Sequence, residues 1–375
     1  MPIGVQVSAH TSVVHSRRLQ NLGRSAVTAA LVVSAVGLVA VAVTTTFGSD
    51  HYSDFGVFWR AGKLVLGGHN PYPAATFHAL RGQNEFVYPA PAALAVVPLA
   101  LLPVAVSAAL FLVLSIAAIF GSLALVGVRD VRCYAVVFLS LATVQGLALG
   151  TASPFLMLAL ALVWRFRDRV RWLAATATAA IALKLFLAPM VIWLALTRRW
   201  HALAASALLS IAVFLAAWAV VGISTLRSYP ALLSELTKVE SQSGLSTYGL
   251  AIRLGLSPAG ARELVVVLVA VLAGLAFRMS RGTGNDRSIF AVCVVVCLVA
   301  SPIVWLHYFA LLVVPIAVIS PSLSWAWALP VTSWIFAEPV QPAATWKIIA
   351  GQFVIAAVLA LAVRAWSHGP SLRSR

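Results

Sequence analysis

Two of the chain's ten carboxylates, Asp50 and Asp54, fall within Asp50-His51-Tyr52-Ser53-Asp54, at the exit of the first long apolar run. Lys and Arg number 26 against these ten acids, so a clustered pair stands out. On a helix, positions 50 and 54 share one face. A carboxylate there could accept a proton from an attacking hydroxyl; the plainer reading is a pair that solvates a helix end. Three other sets could do chemistry. Arg60, Lys63, Arg81 and Tyr88 lie in a turn-rich segment, where cations bind phosphate or snorkel to the interface. Ser301-Pro302-Ile303-Val304-Trp305-Leu306-His307-Tyr308 could floor a pocket or form part of an aromatic belt. Lys184 is an isolated charge inside an apolar block. Such a group costs on the order of 2.5–3.5 kcal/mol at membrane depth, so it calls for a partner or a task. A bound phosphate and a stabilised helix break are both adequate tasks.

The elements that carry these residues are membrane helices. The chain has 375 residues, 62% hydrophobic and 10% charged, where soluble domains carry about 25% charged residues. Apolar runs of spanning length recur throughout. The expected fold is all-α: a polytopic integral membrane bundle of about 12 transmembrane or half-membrane helices over residues 25–367. Short cytoplasmic tails, 1–24 and 368–375, flank it. Arginine concentrates in alternate connections, around Arg129, Arg167, Arg198, Arg281 and Arg364, which the positive-inside rule assigns to the cytoplasm. Asp50, Asp54, Glu85, Glu235, Glu240, Glu263 and Glu338 fall in the other set. The net charge of +16 is therefore a topology signal with some attraction for anionic membrane lipids, and implies no nucleic-acid partner. Two long external loops are expected, about 48–103 and 223–262. Within the first, 91–102 is too short to span and reads as interfacial or re-entrant. The block 133–164 reads as a hairpin, and 172–197 as two half-length helices with Lys184 near their tip. Cys133, Cys293 and Cys297 all lie in apolar runs and read as packing residues, with no disulfide framework.

Walker loops, dinucleotide fingerprints, metal-ligand spacings and serine-nucleophile elbows are absent. No cofactor is expected, and a divalent metal is left open. One external carboxylate set remains, with cations and aromatics. A glycosidase needs a second carboxyl to protonate its leaving oxygen. A lipid phosphate departs as a stable anion and needs no such acid. One base and one phosphate-binding cation therefore suffice for sugar transfer from a lipid-phosphate donor.

The segments Asp54-Phe55-Gly56-Val57-Phe58-Trp59-Arg60, Gly67-Gly68-His69-Asn70-Pro71-Tyr72 and Phe86-Val87-Tyr88-Pro89-Ala90-Pro91 resemble the opening of family 87 glycosyltransferases of the GT-C superfamily. Lys184 to Pro189 with Arg198-Arg199-Trp200, and Ser301-Pro302 through Trp305 to His307, continue the resemblance in order. It covers about residues 50–310. Trp59 follows Phe58 where the family often has Tyr, Ala90 interrupts a Pro-Pro pair, and Thr151 stands where Gln is common.

The resemblance implies an enzyme of polyprenyl-phosphate-mannose-dependent, α-1,2-mannosyltransferase type, with Asp54 as the catalytic base. Asp50, Arg60, Tyr72, Tyr88, Lys184, Trp305 and His307 are the candidates for donor or acceptor binding. The implied partners are a polyprenyl-phosphate sugar donor and a lipid-linked glycan or glycolipid acceptor. The implied setting is a bacterial, actinobacterial-type plasma membrane, multi-pass, with the active site outside. A decaprenyl-phosphate-arabinofuranose-dependent transferase is the alternative donor class. A non-enzymatic flippase of lipid-linked sugars is the alternative outside enzymology.

Overall fold

The computed structural model describes residues 25–41, 44, 53–81, 85–337 and 344–368. Asp50, Glu338 and the two tails, apart from His368, lie outside the described residues. Among those described, every regular element is helical. Helix α1 covers Ser25–Val41. The first loop region then carries α2 (Ser53–Leu66), α3 (Phe77–Leu80), α4 (Ala90–Ala95) and α5 (Val97–Ala100), before the long α6 (Val104–Leu125). Next come α7 (Val131–Leu139), α8 (Leu141–Ala148), α9 (Ser153–Arg165), α10 (Val170–Leu183), α11 (Met190–Leu196) and α12 (Trp200–Val221). They are followed by α13 (Ile223–Glu240), α14 (Thr247–Arg253), α15 (Pro258–Ser280), α16 (Asp286–Ala300), α17 (Val313–Ile319), α18 (Ala328–Val331) and α19 (Thr345–Ser367).

Four helices are long and apolar enough to cross a membrane: α6, α12, α15 and α19. The pair α7 and α8, bent by 66° at Ser140, would make a fifth. Five shorter apolar helical segments accompany them, among them α1, α9 and α10; the expected count of about twelve transmembrane or half-membrane helices is not confirmed by these lengths, for a physical reason. Apolar runs mark burial, and burial by lipid and burial by protein look alike in sequence. Helix α16 shows this. Ser288 through Val299 are all buried, so it is apolar on every side because protein surrounds it. Its 15 residues reach only about 22 Å, short of a hydrocarbon core of about 30 Å. The apolar stretches 308–319 and 325–336, which hydropathy alone would read as spans, are 3-10 turns joined to α17 and α18, with Pro315 and Pro330 inside them. The stretch 91–102 is α4 and α5, each with proline in its first turn. By contrast, α12 and α15 expose Leu208, Ile211, Leu215, Val266 and Val271, the surface that lipid would cover.

Two hydrophobic clusters form the interior. The larger surrounds α16 and takes in Trp193, Phe290, Tyr308 and Phe309. The smaller joins α2, α4, α12 and α13 through Phe58, Tyr72, Phe86, Trp218 and Tyr229.

An ionic clamp ties one end of the bundle. The Arg199 guanidinium donates to both Asp286 oxygens, at 3.1 and 2.9 Å, and its Nε donates to the Arg167 carbonyl at 2.7 Å. The Trp193 indole donates to the same carboxylate at 2.9 Å. The α9–α10 turn, the α11–α12 turn and the start of α16 are thereby joined. Arg198, in the α11–α12 turn, takes the left-handed conformation at φ 56°, which aligns its neighbour with Asp286. Removing one partner of such a pair strands the other charge and costs about 3 kcal/mol. Arg199→Leu should lower the melting midpoint in detergent. The double variant with Asp286→Leu should recover part of that loss, and simple additivity would show that the pair contributes no coupling.

Candidate functional site

At the end away from the clamp, a cavity of about 720 Å³ opens along the seam between the two clusters. One wall carries Val57, Leu80, Tyr229, Leu233 and Leu236 from the smaller cluster; the other carries Leu245, Leu306, Tyr308 and Phe336 from the larger. Helices α8, α10, α13 and α16 each deliver their last residue or cap to it, as Leu149, Lys184, Glu240 and Ser301. Five of the sequence candidates line this one space: Asp54, Tyr88, Lys184, Trp305 and His307.

Asp54 occupies the first turn of α2. The backbone N–H groups of Asp54 and Phe55 both donate to the Leu149 carbonyl, at 3.1 and 3.3 Å. The seat is tight. Gly150 has φ 65°, and a Cβ there would stand 2.6 Å from the Phe55 Cβ. Only glycine both adopts that backbone and admits the Phe55 side chain. The α8–α9 elbow therefore sets the position of Asp54.

Lys184 ends α10 in an extended conformation, φ −159° and ψ 121°, so the helix stops where the charge enters the cavity. Its ammonium donates to the Tyr308 hydroxyl and reaches the Tyr88 hydroxyl at 3.4 Å. It also lies 4.5 Å from the Tyr88 ring centroid and 4.1 Å from that of Tyr308, within cation–π range. Phe186 stacks on Tyr308 with centroids 5.4 Å apart. The Asp54 carboxylate acts electrostatically on Lys184, Tyr88 and Tyr308, so carboxylate, lysine and phenols form one group. Burial, then the neighbouring Tyr308 and Asp54, hold the Tyr88 hydroxyl well above its ordinary range, so it stays protonated.

His307 is buried, and its Nε2 has no hydrogen-bond partner among the described residues. An imidazole nitrogen left so in a cavity wall is an invitation to a ligand atom. Its segment is fixed from behind. Leu245 N–H donates to the Val304 carbonyl at 2.6 Å, and Ser246 Oγ donates to the Pro302 carbonyl at 2.8 Å.

Two candidates stand elsewhere. Arg60 lies on an exposed face of α2, off the cavity wall. Tyr72 is buried behind the wall, stacked on Trp218 at 5.3 Å, and its hydroxyl donates to the Tyr88 carbonyl at 2.8 Å. It supports Tyr88 from outside the cavity. Asp50 lies outside the described residues.

The cavity also holds groups that sequence reasoning did not offer as site residues: Glu85, Gln145, Glu240 and Lys347. One carboxylate set was expected; the structure brings in carboxylates from three separate segments. Glu85 and Glu240 carried a signal, since both fall in the connections assigned to the external side. Gln145 and Lys347 are polar residues in apolar surroundings, the same cue that marked Lys184. Among the described residues, no three His, Cys, Asp or Glu side chains come close enough to hold a metal ion.

The described residues thus form an all-helical protein, several of whose helices are apolar enough to cross a membrane, with a charged cavity sunk among them. The family model for glycosyltransferase family 87 matches residues 86–302. The chain belongs to that family and is a glycosyltransferase. Neither a curated protein nor a solved structure matches it. Asp54 and His307 lie outside the matched range, yet the fold brings both to the cavity that the matched segment lines.

The elbow at Gly150 yields a test. Gly150→Ala adds a Cβ against Phe55 and strains the backbone by about 1–2 kcal/mol. A displacement of about 1 Å at a reacting group costs on the order of 100-fold in rate. Sugar transfer should therefore fall far more than thermal stability does. Equal activity in the variant would show that the α2 seat does not govern Asp54.

Proposed function

We propose that the protein is an inverting transferase that moves mannose from a polyprenyl phosphate to a hydroxyl of a cell-envelope glycolipid or glycan. The acceptor hydroxyl gives its proton to the Asp54 carboxylate. Its oxygen attacks the anomeric carbon from the face opposite the phosphate. The bond to the phosphate oxygen breaks as the new bond forms, and the phosphate leaves with the electron pair. Lys184, with Tyr88 and Tyr308 around it, and His307 Nε2 receive that phosphate. No acid is required at the leaving oxygen.

One observation supports this reading: the cavity joins a seated carboxylate to a buried lysine. Helix α10 has 14 residues and so places Lys184 about 21 Å from the arginine end. With that end at the cytoplasmic headgroups, Lys184 sits inside a hydrocarbon core of about 30 Å, nearer its far side. A substrate reaching such a depth is best delivered on a lipid. The arginine distribution supports a cavity that opens to the outside of the plasma membrane. Mannose, rather than arabinofuranose, follows the resemblance of the motifs.

The test is transfer from radiolabelled polyprenyl-phosphate mannose in membranes holding the wild type or Asp54→Asn. Loss of a general base lowers the rate by about 10²–10⁴-fold. Full activity in a well-folded Asp54→Asn protein would sink the base assignment. Transfer from the arabinofuranose donor alone would replace mannose. Flipping of the lipid-linked sugar without any transfer would favour the transporter.

A further inference from the structure

The mechanism above uses Asp54, Lys184 and His307 and leaves Glu240 without a task. Helix α13 turns one face to the cavity, with Tyr229, Leu233, Leu236, Thr237 and Glu240 at intervals of four, three, one and three residues. That spacing is a single helical stripe, and Glu240 is its last residue. The other carboxylate nearby on this helix, Glu235, is neutralised by Lys238 at 2.7 Å. Glu240 has no ion pair and no side-chain hydrogen bond among the described residues. It is half-buried all the same, and burial raises its carboxyl above the usual range. A carboxylate drawn out of water with no donor of its own has acceptor capacity to spare.

The chain beyond Glu240 is held firmly. Ser243 and Gly244 continue the wall, and a Cβ on Gly244 would stand 2.8 Å from the Val304 carbonyl oxygen. This close backbone contact fixes the end of α13 against the segment that carries Trp305. A carboxylate and an indole lining one cavity are complementary to a sugar. Hydroxyl groups donate to the oxygens, and the C–H face of the ring packs on the aromatic surface. A phosphate or a uronic acid would be repelled at Glu240.

We propose that Glu240, with Trp305, forms a subsite that reads the hydroxyl groups of a neutral sugar on the acceptor. The donor's phosphate is received at the Lys184 group instead. This rests on the transferase reading and adds to it the class of acceptor.

The experiment uses the full chain in lipid nanodiscs, radiolabelled polyprenyl-phosphate mannose as donor, and n-octyl α-mannoside or n-octyl glucuronide as acceptor. Glu240→Gln keeps the shape and removes the charge. Its acceptor KM for the mannoside should rise about tenfold, the usual worth of one charge-assisted hydrogen bond. Its kcat should stay within twofold and its donor KM should not change. Discrimination against the glucuronide should shrink. An unchanged acceptor KM, or a fall in kcat alone, overturns the proposal. Titration of octyl α-mannoside against tryptophan fluorescence reads acceptor binding without turnover. Equal affinity in wild type and Glu240→Gln overturns the proposal by that route too. Absence of mannosyl transfer in the wild type, with a Glu240-dependent affinity retained, would remove the transferase mechanism and leave the sugar subsite standing.

Discussion

The buried ammonium of Lys184 is the constraint around which the cavity is organised. A charge cannot sit in an apolar interior without compensation, and here the compensation arrives from three distant parts of the chain. Tyr308 supplies a hydroxyl and a ring face, Tyr88 supplies another ring, and Asp54 supplies the opposite charge. Each must be held in place by backbone. Tyr72 bonds the Tyr88 carbonyl, Leu149 accepts from the first turn of α2, and the 245–246 segment bonds the strip that precedes Tyr308. The break in α10 belongs to the same logic. A continuous helix would carry the lysine past the seam, whereas an extended residue turns it in.

The bundle thus has two differently built ends. One is closed by Arg199, Arg167 and Asp286, which hold three turns together with charge-assisted hydrogen bonds. The other is left open as a cavity. Helices α10 and α16 run from clamp to cavity, so rigidity at one end becomes positional accuracy at the other. Between the ends, apolar contact among membrane helices gives dispersion and fit rather than release of water. That suits α16, whose valines, alanine and cysteines pack against neighbours on every side.

Much of this was legible in the chain, and the division follows physics. Lys184 marked a helix break because one charge in an apolar block demands a partner. The stretch 91–102 was set apart from the spans by its length alone, and it folds as the short α4 and α5. The number of spans was not legible, since hydropathy reports burial without saying what does the burying. The convergence of Glu85, Glu240 and Lys347 was not legible either. It depends on how α13 and α19 lie against the 301–308 segment, and no local pattern encodes that. Tyr72 belongs to a recognisable turn motif, yet the same turn places its ring behind the wall.

Four helices end at the cavity, and the direction in which they end has an electrical meaning. A helix C-terminus presents unpaired carbonyl oxygens, equivalent to about half a negative charge. The ends of α8, α10, α13 and α16 therefore bring partial negative charge to the cavity, set against the opposite contribution of α2 and α19, whose first turns bring Asp54 and Lys347 there. An anion is best received there beside a cation, at Lys184 or Lys347. A sugar ring acquires positive charge as the bond to its leaving group stretches. The peptide backbone itself is then tuned to the species at the top of the barrier.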